Sequence, residues 1–395
     1  MRPKTDSHPR RWRMLALLAA AELLGVSPWF TASAVSPQLR ELWSLSLAQT
    51  GMLVTVVQIG FVAGTAVAAV LNLADLVSSR VYFTVCALLA AAANGALVAV
   101  PSYEAALVSR CLTGFFIAGV YPPAMKMIAT WFASARGLAI GTIVGALTVG
   151  KAAPYLLRAV DSADHRLVVL AASVAAFAAA ILVGAGYRDG PYGFPRRPFS
   201  WGLVGTVVRH RETRLATLGY LGHMWELYAM WTWIPAFLVA SAEARGDAGG
   251  ASVTAAAAFG AIAAGGAGCV WGGWAADRIG RHRLVIRAMA ASGLCCLAIG
   301  PLFGLSLWIL APVTWLWGFF VVADSAQFSA LVTEVAPEHA VGTALTLQTS
   351  IGFLLTAATI LLVPALVATW GWPWAFPILT LGPAAGIAAI RRLAS

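Results

Sequence analysis

The sequence predicts an all-α membrane protein with twelve transmembrane helices, on the evidence of its composition and its long apolar runs. Sixty per cent of the 395 residues are hydrophobic and 11% are charged, with a mean hydropathy of +0.81, whereas soluble domains carry about 25% charged residues. Most stretches between charge clusters reach the roughly 20 apolar residues that span a bilayer. These runs are rich in Ala, Leu and Val and do not alternate, which favours helices over a barrel.

The apolar runs divide the chain into two halves. In the first half the predicted spans are 13–35, 48–72, 81–100, 104–130, 137–160 and 166–187. In the second half they are 214–240, 252–275, 284–304, 306–333, 340–368 and 373–390. The stretch between them is polar and rich in Gly, Pro and Arg. We therefore expect an N-terminal six-helix bundle at 1–187, a cytoplasmic linker at 188–213 and a C-terminal six-helix bundle at 214–395.

The placement of Lys and Arg predicts the orientation of these helices. The formal net charge is +10. With the N-terminus inside, nineteen of the 26 Lys and Arg residues fall in the termini, the linker and the inner loops, and four fall in outer loops. Positive residues concentrate on the cytoplasmic side of membrane proteins. The bias predicts a multi-pass protein of the cell's inner membrane with both termini cytoplasmic, and it explains the charge without nucleic acid.

The sequence shows no pattern typical of an enzyme or a metal site. Its five cysteines lie inside apolar runs at spacings that fit no metal motif, so we interpret them as small core residues. No nucleophile–base pair or phosphate-binding loop stands out. We expect no enzyme activity, no cofactor and no metal. The expected protein is a monomer whose partners are the lipid bilayer, a small-molecule substrate, which we take to be anionic, and protons.

Three short segments of the first half recur in the second half. Ala74-Asp75 recurs as Ala276-Asp277, LTGFF at 112–116 as LWGFF at 316–320, and RGLAIG at 136–141 as VGTALT at 341–346. The offsets are 202, 204 and 205 residues. Similar loops at similar depth indicate duplication of a six-helix unit, with the repeats parallel.

One of these loops also carries a family motif. WAADRIGRHR at 274–283 resembles the signature loop of the major facilitator superfamily, which lies between helices 2 and 3 and again between 8 and 9. In that family an Asp caps a neighbouring helix and pairs with Arg, which latches the outward-facing state. The resemblance gives this role to Asp277, Arg278 and Arg281. The first copy, NLADLVSSR, keeps Asp75 and Arg80 without the glycines.

The resemblance extends over the whole chain. ALVSRCLTG at 106–114 is similar to the family's helix-4 motif. SPWFTASAVSPQL, YPPAMKMIATWF and GALTVGKAAPYL are loosely similar to the nitrate, nitrite and cyanate porter-like branch. That branch typically places an Arg in helix 2 and another in helix 8 for its anion. This chain has Gln58 and no Arg there, which argues against nitrate itself.

Six charged residues lie within predicted spans and are candidates for function. They are Glu22, Arg110, Lys126, Lys151, Glu226 and Asp324. Each costs about 3 kcal/mol or more at the bilayer centre unless it is paired or hydrated. The set sums to zero, with a net charge of +2 in the first half and −2 in the second. Such a set around a central cavity fits a charged substrate, a coupled proton, or both.

Helical phase, at about 100° per residue, indicates which side chains share a face. Glu22 and Trp29 lie on one stripe of the first span, and Arg110 and Tyr121 on one stripe of the fourth. Lys126 lies on another side unless the preceding Pro pair rotates the last turns, and it can also reach the headgroups. In many proton-coupled members of the superfamily an acid of helix 1 pairs with the Arg of helix 4. The resemblance therefore makes Glu22 and Arg110 a candidate pair.

Lys151 is the strongest single candidate. It lies in the middle of the fifth span, one turn before Tyr155, beyond easy reach of either surface. We interpret it as a substrate-anion or coupling site. The alternative is a buried ion pair that braces the bundle.

Two further stripes lie in the second half. His223 and Glu226 share a face of the seventh span and form a candidate proton relay, or alternatively a contact that holds the helix against a neighbour. Trp317, Asp324 and Gln327 form a similar stripe on the tenth span.

These observations favour a secondary transporter that moves a small anion, such as a carboxylate, by alternating access with proton coupling, for example as a symporter. Arg110 and Lys151 supply positive charge, and Glu22, Glu226 or Asp324 carry protons. One alternative is a proton-driven exporter of a cationic or amphipathic compound, although the fifth span lacks the Gly-Pro dipeptide typical of drug antiporters in this superfamily. A second alternative is a non-transporting sensor on the same fold.

Overall fold

The computed structural model describes residues 8–133, 136–160, 164–193, 199–246 and 251–394, except for the side chains of Ala74, Asp75 and Arg136. Within these ranges all regular secondary structure is helical, so the predicted all-α class is confirmed. Residues 194–198 of the predicted linker lie outside the described ranges.

Each predicted span overlaps a helix or a pair of helices. Before residue 188 the α-helices are α1 (Arg11–Gly25), α2 (Thr31–Ala34), α3 (Ser36–Trp43), α4 (Leu47–Val70), α5 (Leu73–Leu76), α6 (Ser79–Ala96), α7 (Tyr103–Ile117), α8 (Tyr121–Ala129), α9 (Arg136–Arg158) and α10 (His165–Gly186). After it they are α11 (Val204–Arg209), α12 (Arg211–Arg245), α13 (Ala251–Ile279), α14 (Arg281–Ala298), α15 (Leu307–Ala323), α16 (Ser325–Val335), α17 (Val341–Trp370) and α18 (Leu381–Ala394). Short 3-10 helices lie at Ser27–Phe30, Trp201–Leu203, Gly300–Leu302, Glu338–Ala340, Trp372–Trp374 and Pro377–Thr380.

Nine helical stretches of the described chain are long and apolar enough to cross a membrane. They are Arg11–Ala34, Leu47–Val70, Tyr103–Ala129, Gly137–Arg158, His165–Gly186, Ala251–Ile279, Leu307–Val335, Glu338–Trp370 and Trp372–Ala394. The other three predicted spans are also helical, as α6, α12 and α14, and each has an arginine in its first turn. The protein is therefore a multi-pass membrane protein.

The first predicted span is not one continuous helix. α1 ends at Gly25, and a 3-10 turn at Ser27–Phe30 leads into α2. Pro28 has no N–H, so it cannot bond the carbonyl four residues earlier. The Ser27 hydroxyl donates to that carbonyl of Leu24 instead, at 2.8 Å. The break changes the direction in which Trp29 points relative to Glu22.

Two other spans are also broken near the middle. α7 ends at Ile117 and α8 begins at Tyr121, because Pro122 and Pro123 cannot donate to the carbonyls of the preceding turn. α15 ends at Ala323 and α16 begins at Ser325, with Asp324 between them. No proline lies at this second break, and Asp324 keeps a right-handed helical backbone conformation there.

Glycines let α9 lie close to its neighbours. A Cβ at Gly150 would overlap the Leu23 carbonyl of α1. A Cβ at Gly145 would lie 3.2 Å from the Gly266 carbonyl of α13. Small residues permit such close helix contact in membranes. α9 is thereby held between α1 of the first half and α13 of the second, and Lys151 follows Gly150 directly.

The N-terminal segment, the linker and the C-terminal helix meet at one face, which we call the terminal face. The His8 ring lies 5.1 Å from the Trp131 ring, whose Nε1 donates to the Arg188 carbonyl at 3.0 Å. The Arg211 guanidinium donates to the Arg392 carbonyl at 3.4 Å. A cavity of about 730 Å³ lies toward the opposite face and is lined by both halves of the chain.

Candidate functional site

Lys151 lies among aromatic rings where the two halves of the chain meet, and it is only 1% exposed. Its Nζ lies 3.8 Å from the ring centroid of Trp29, 4.8 Å from that of Tyr228 and 5.2 Å from that of Trp231. It also donates to the Tyr228 hydroxyl at 2.5 Å. A cation within about 6 Å of an aromatic face is attracted by the ring quadrupole. The buried charge is therefore met by ring faces and one hydroxyl.

Glu22 is the acid whose charge acts on Lys151. It is fully buried in α1, and neither carboxylate oxygen has a hydrogen-bond partner in the described part of the chain. The close contact between Leu23 and Gly150 brings these two helices together at this level. Tyr121, at the start of α8, lies within electrostatic range of the same carboxylate. The fold therefore places Glu22 beside a base without giving it hydrogen-bond donors.

The aromatic rings close the space between Lys151 and the cavity. The centroids of Phe61 and Phe353 are 4.5 Å apart, and those of Tyr228 and Phe353 are 5.3 Å apart. Tyr155, one turn beyond Lys151 on α9, lines the cavity. The open volume thus begins one helical turn from the lysine, which is itself inaccessible in this conformation.

The expected pairing of Glu22 with Arg110 is wrong in this structure. Arg110 donates through Nη1 to the Asn94 side chain at 2.7 Å. Its Nη2 donates to the carbonyls of Pro28 and Trp29 at 2.9 and 2.5 Å. Those carbonyls lie in the 3-10 turn that interrupts the first span, so the break creates acceptors that the guanidinium fills. Arg110 is fully buried and holds α6, α7 and the broken first span together.

The expected contact between His223 and Glu226 is also absent among the described residues. His223 Nδ1 lies 2.9 Å from Asp324 Oδ1, and its Nε2 lies 3.0 Å from the Ser325 hydroxyl. The break between α15 and α16 places both partners against the ring. The histidine therefore faces the tenth span rather than the acid one turn along its own helix.

Glu226 has a full set of hydrogen bonds. The Ser292 hydroxyl donates to Oε2 at 3.0 Å, and the Cys296 thiol and the Trp317 indole donate to Oε1 at 3.2 and 2.5 Å. These donors come from α14 and α15. Glu226 therefore fixes α12 to two neighbouring helices, which is the bracing role.

The remaining candidates have less defined surroundings. Gln58 is fully buried in α4, and neither amide atom has a partner among the described residues. Gln327 is buried in α16. Lys126 is half-buried in the last turn of α8. None of the three contacts Lys151 in the interactions described above.

The residues expected to form the latch lie at the ends of helices. Arg281 Nε is 3.3 Å from Glu334 Oε1, and the Arg278 guanidinium lies 3.6 Å from the centroid of the Trp274 ring. Asp277 is exposed. Arg80 donates to the Gly184 carbonyl. The side chain of Asp75 lies outside what the structure describes, so the first copy of the latch is not shown.

Several residues of the site are not among the sequence candidates. Tyr228, Trp231 and Phe353 surround Lys151 from the second half, and Asn94 holds Arg110. Asn94 stands out in the sequence as a polar residue inside an apolar span. The rings carry no comparable signal, because aromatic residues are common throughout this chain.

The fold and the buried site between the two halves define a membrane carrier rather than an enzyme. The Major Facilitator Superfamily model matches residues 17–359, and the chain belongs to this family. A search of curated proteins finds no match. The family is one of secondary transporters, and the chain is a transporter of a small molecule through the lipid bilayer.

Solved structures share the fold at low sequence identity. A bacterial homologue of the human lysosomal transporter Spinster, in an inward-facing and unoccupied conformation, has a TM-score of 0.67 at 17% identity over 98% of this chain and 95% of its own. The human organic anion transporter MFSD10 (TETRAN) has a TM-score of 0.71 at 15% identity over 97% and 100%. The nucleoside transporter NupG, solved as a point mutant, has a TM-score of 0.72 at 12% identity over 97% and 100%.

Proposed function

We propose that this chain is a proton-coupled transporter for a small organic anion, with Lys151 as the anion site and Glu22 as the proton carrier. The observation that carries the proposal is the surroundings of Lys151. No carboxylate of the described chain lies within ion-pair distance of its Nζ, and its charge faces aromatic rings and the Tyr228 hydroxyl. An anion that enters from the cavity would meet a buried charge that has no hydrogen-bonded counter-ion.

Proton coupling follows from the closeness of Glu22 to Lys151. An ionised Glu22 competes with a substrate anion for the same lysine, whereas a proton on Glu22 removes that competition. Each ligand therefore increases the affinity for the other, and this coupling is reciprocal. The expected mode is symport of the anion with a proton.

The shared origin of the site supports alternating access. Trp29 and Lys151 come from the first half, and Tyr228 and Trp231 come from the second. Rocking of one half against the other would part these rings and expose Lys151 to one face at a time. One protein of the same fold is a human organic anion transporter, which supports the class of substrate.

The rival cationic substrate has less support. Its candidate acids are Glu226 and Asp324. The first accepts three hydrogen bonds, and the second faces His223. Neither acid is left open to a cationic substrate in this arrangement.

We also propose twelve spans in two six-helix bundles, 1–187 and 214–395, with the terminal face in the cytoplasm of the cell's inner membrane. Gly193→Cys, exposed at the linker, should react with an impermeant maleimide only when the cytoplasmic side is accessible. Leu42→Cys, 59% exposed near the opposite face, should react from outside. The native cysteines are buried or half-buried. Reversed labelling would contradict this orientation.

Anion binding by Lys151 is tested with purified protein and a panel of aliphatic and aromatic monocarboxylates. Lys151→Ala should weaken anion binding by about 2–5 kcal/mol, the range for one partner of a buried charge pair. Lys151→Arg should restore it only in part, because a guanidinium donates in a different geometry. Arg287→Ala, an exposed residue of α14, is the control and should bind normally.

The structural alternative gives a different result in the same experiment. If Lys151 serves only to brace the bundle, Lys151→Ala lowers the melting temperature, a second change Glu22→Gln restores it, and anion affinity stays at the wild-type value. That combination would remove Lys151 from the binding site.

A further inference from the structure

The cavity contains a second cation in line with Lys151. Lys151, Tyr155 and Arg158 follow one another on α9 at intervals of four and three residues, so they share one face of the helix. At a rise of 1.5 Å per residue, Arg158 lies about 10 Å closer to the opposite face than Lys151. Tyr155 and Arg158 both line the cavity. The helix thus presents a cation, a phenol and a second cation from mid-membrane to open water.

Arg158 is placed deeper than the other charges of the cavity. The lining also includes Arg40, Glu41 and Glu243, and all three are exposed, whereas Arg158 is half-buried. Glu243 is eleven residues beyond Thr232 on α12, which corresponds to about 16 Å along the helix. Arg40 donates through Nε to the Leu45 carbonyl at 3.3 Å. The innermost charge of the cavity is therefore positive.

The guanidinium of Arg158 is held in a defined place. With the Gln38 amide oriented to satisfy its hydrogen bonds, the Gln38 oxygen accepts from Nε at 3.0 Å and from Nη2 at 2.9 Å. A neutral acceptor orients the group and leaves its charge in place. Thr232, 6% exposed, also lines the cavity, and its hydroxyl has no hydrogen-bond partner in the described chain.

We infer that Arg158 is an outer capture site for the anionic group of the substrate, from which the anion passes to Lys151 when the aromatic rings part. This inference rests on the proposed anion transport. The ligand class is a singly charged organic anion such as a monocarboxylate, which occupies the two cations in turn. The Tyr155 and Thr232 hydroxyls supply hydrogen-bond donors between them.

The test measures initial uptake of a subsaturating monocarboxylate into proteoliposomes at low and at near-physiological ionic strength. Because the cavity is open to water, wild-type uptake efficiency should fall as salt shortens the screening length from about 30 Å to about 8 Å. Arg158→Gln should lower this efficiency about tenfold at low salt and make it nearly independent of salt, as expected for lost electrostatic steering. Arg158→Lys should keep most of the rate and the salt dependence.

Matched controls separate capture from a structural role. Arg166→Gln, exposed at the start of α10 and outside the cavity lining, should leave uptake and its salt dependence unchanged. If Gln38→Ala and Arg158→Lys both reproduce the loss seen with Arg158→Gln, Arg158 serves the packing of α3 and the inference is overturned.

Two other outcomes distinguish this inference from the proposed function. Wild-type uptake by Arg158→Gln at both salt concentrations, together with loss of binding in Lys151→Ala, would overturn the capture site alone. Absence of uptake of any anion by the wild-type protein would overturn both.

Discussion

Glu22 and Glu226 are separated by 204 residues, the same offset as the repeated segments LTGFF and LWGFF. Both are buried, in α1 and α12 respectively. Their surroundings differ completely. Glu226 accepts hydrogen bonds from Ser292, Cys296 and Trp317, whereas Glu22 accepts none from the described residues. The comparison shows how a repeated acid can serve to brace one half of a carrier while its counterpart stays available for a moving proton.

The buried bases of the first half show the same contrast. Arg110 is satisfied by Asn94 and two backbone carbonyls, while Lys151 faces rings and one hydroxyl. A guanidinium has five donors in a rigid plane and suits a fixed set of acceptors, whereas an ammonium is a compact charge on a flexible stem. The fixed base supports the helix break, and the compact base is the one placed to meet a substrate.

The largest effect that would sharpen this comparison is on stability. Glu226→Gln should lower the free energy of unfolding by about 2 kcal/mol, because its amide would face a buried donor that then loses its acceptor. Glu22→Gln should leave stability unchanged or higher, since no donor depends on that carboxylate. Thermal unfolding in detergent measures both variants side by side. Equal losses in the two variants would show that the hydrogen bonds of Glu226 do not distinguish the acids.

Much of the fold could be predicted from the sequence. Apolar runs of bilayer length identify every helical span, because lipid permits few alternatives to helix. The cost of a buried charge also selects Glu22, Lys151, Glu226 and Asp324, since a charge remains in a span only where the protein answers it. These signals are local, so one chain is enough to detect them.

The pairings could not be predicted, because they depend on helix breaks. The 3-10 turn at Ser27–Phe30 supplies carbonyls to Arg110, and the break at Asp324 turns that acid toward His223. Phase arguments assume continuous helices and therefore choose the wrong partners. Arg158 was counted as a loop residue, whereas α9 extends to it and places it in the cavity.

The central claim is that Glu22 carries the coupled proton and Glu226 does not. The most direct measurement is anion accumulation in proteoliposomes driven by an imposed pH gradient, compared with anion exchange in the absence of a gradient. Glu22→Gln should lose pH-driven accumulation and keep exchange, since a permanently neutral side chain leaves Lys151 open to the anion. Glu226→Gln should keep pH-driven accumulation per folded molecule. Accumulation that persists in Glu22→Gln, or that disappears in folded Glu226→Gln, would contradict the account.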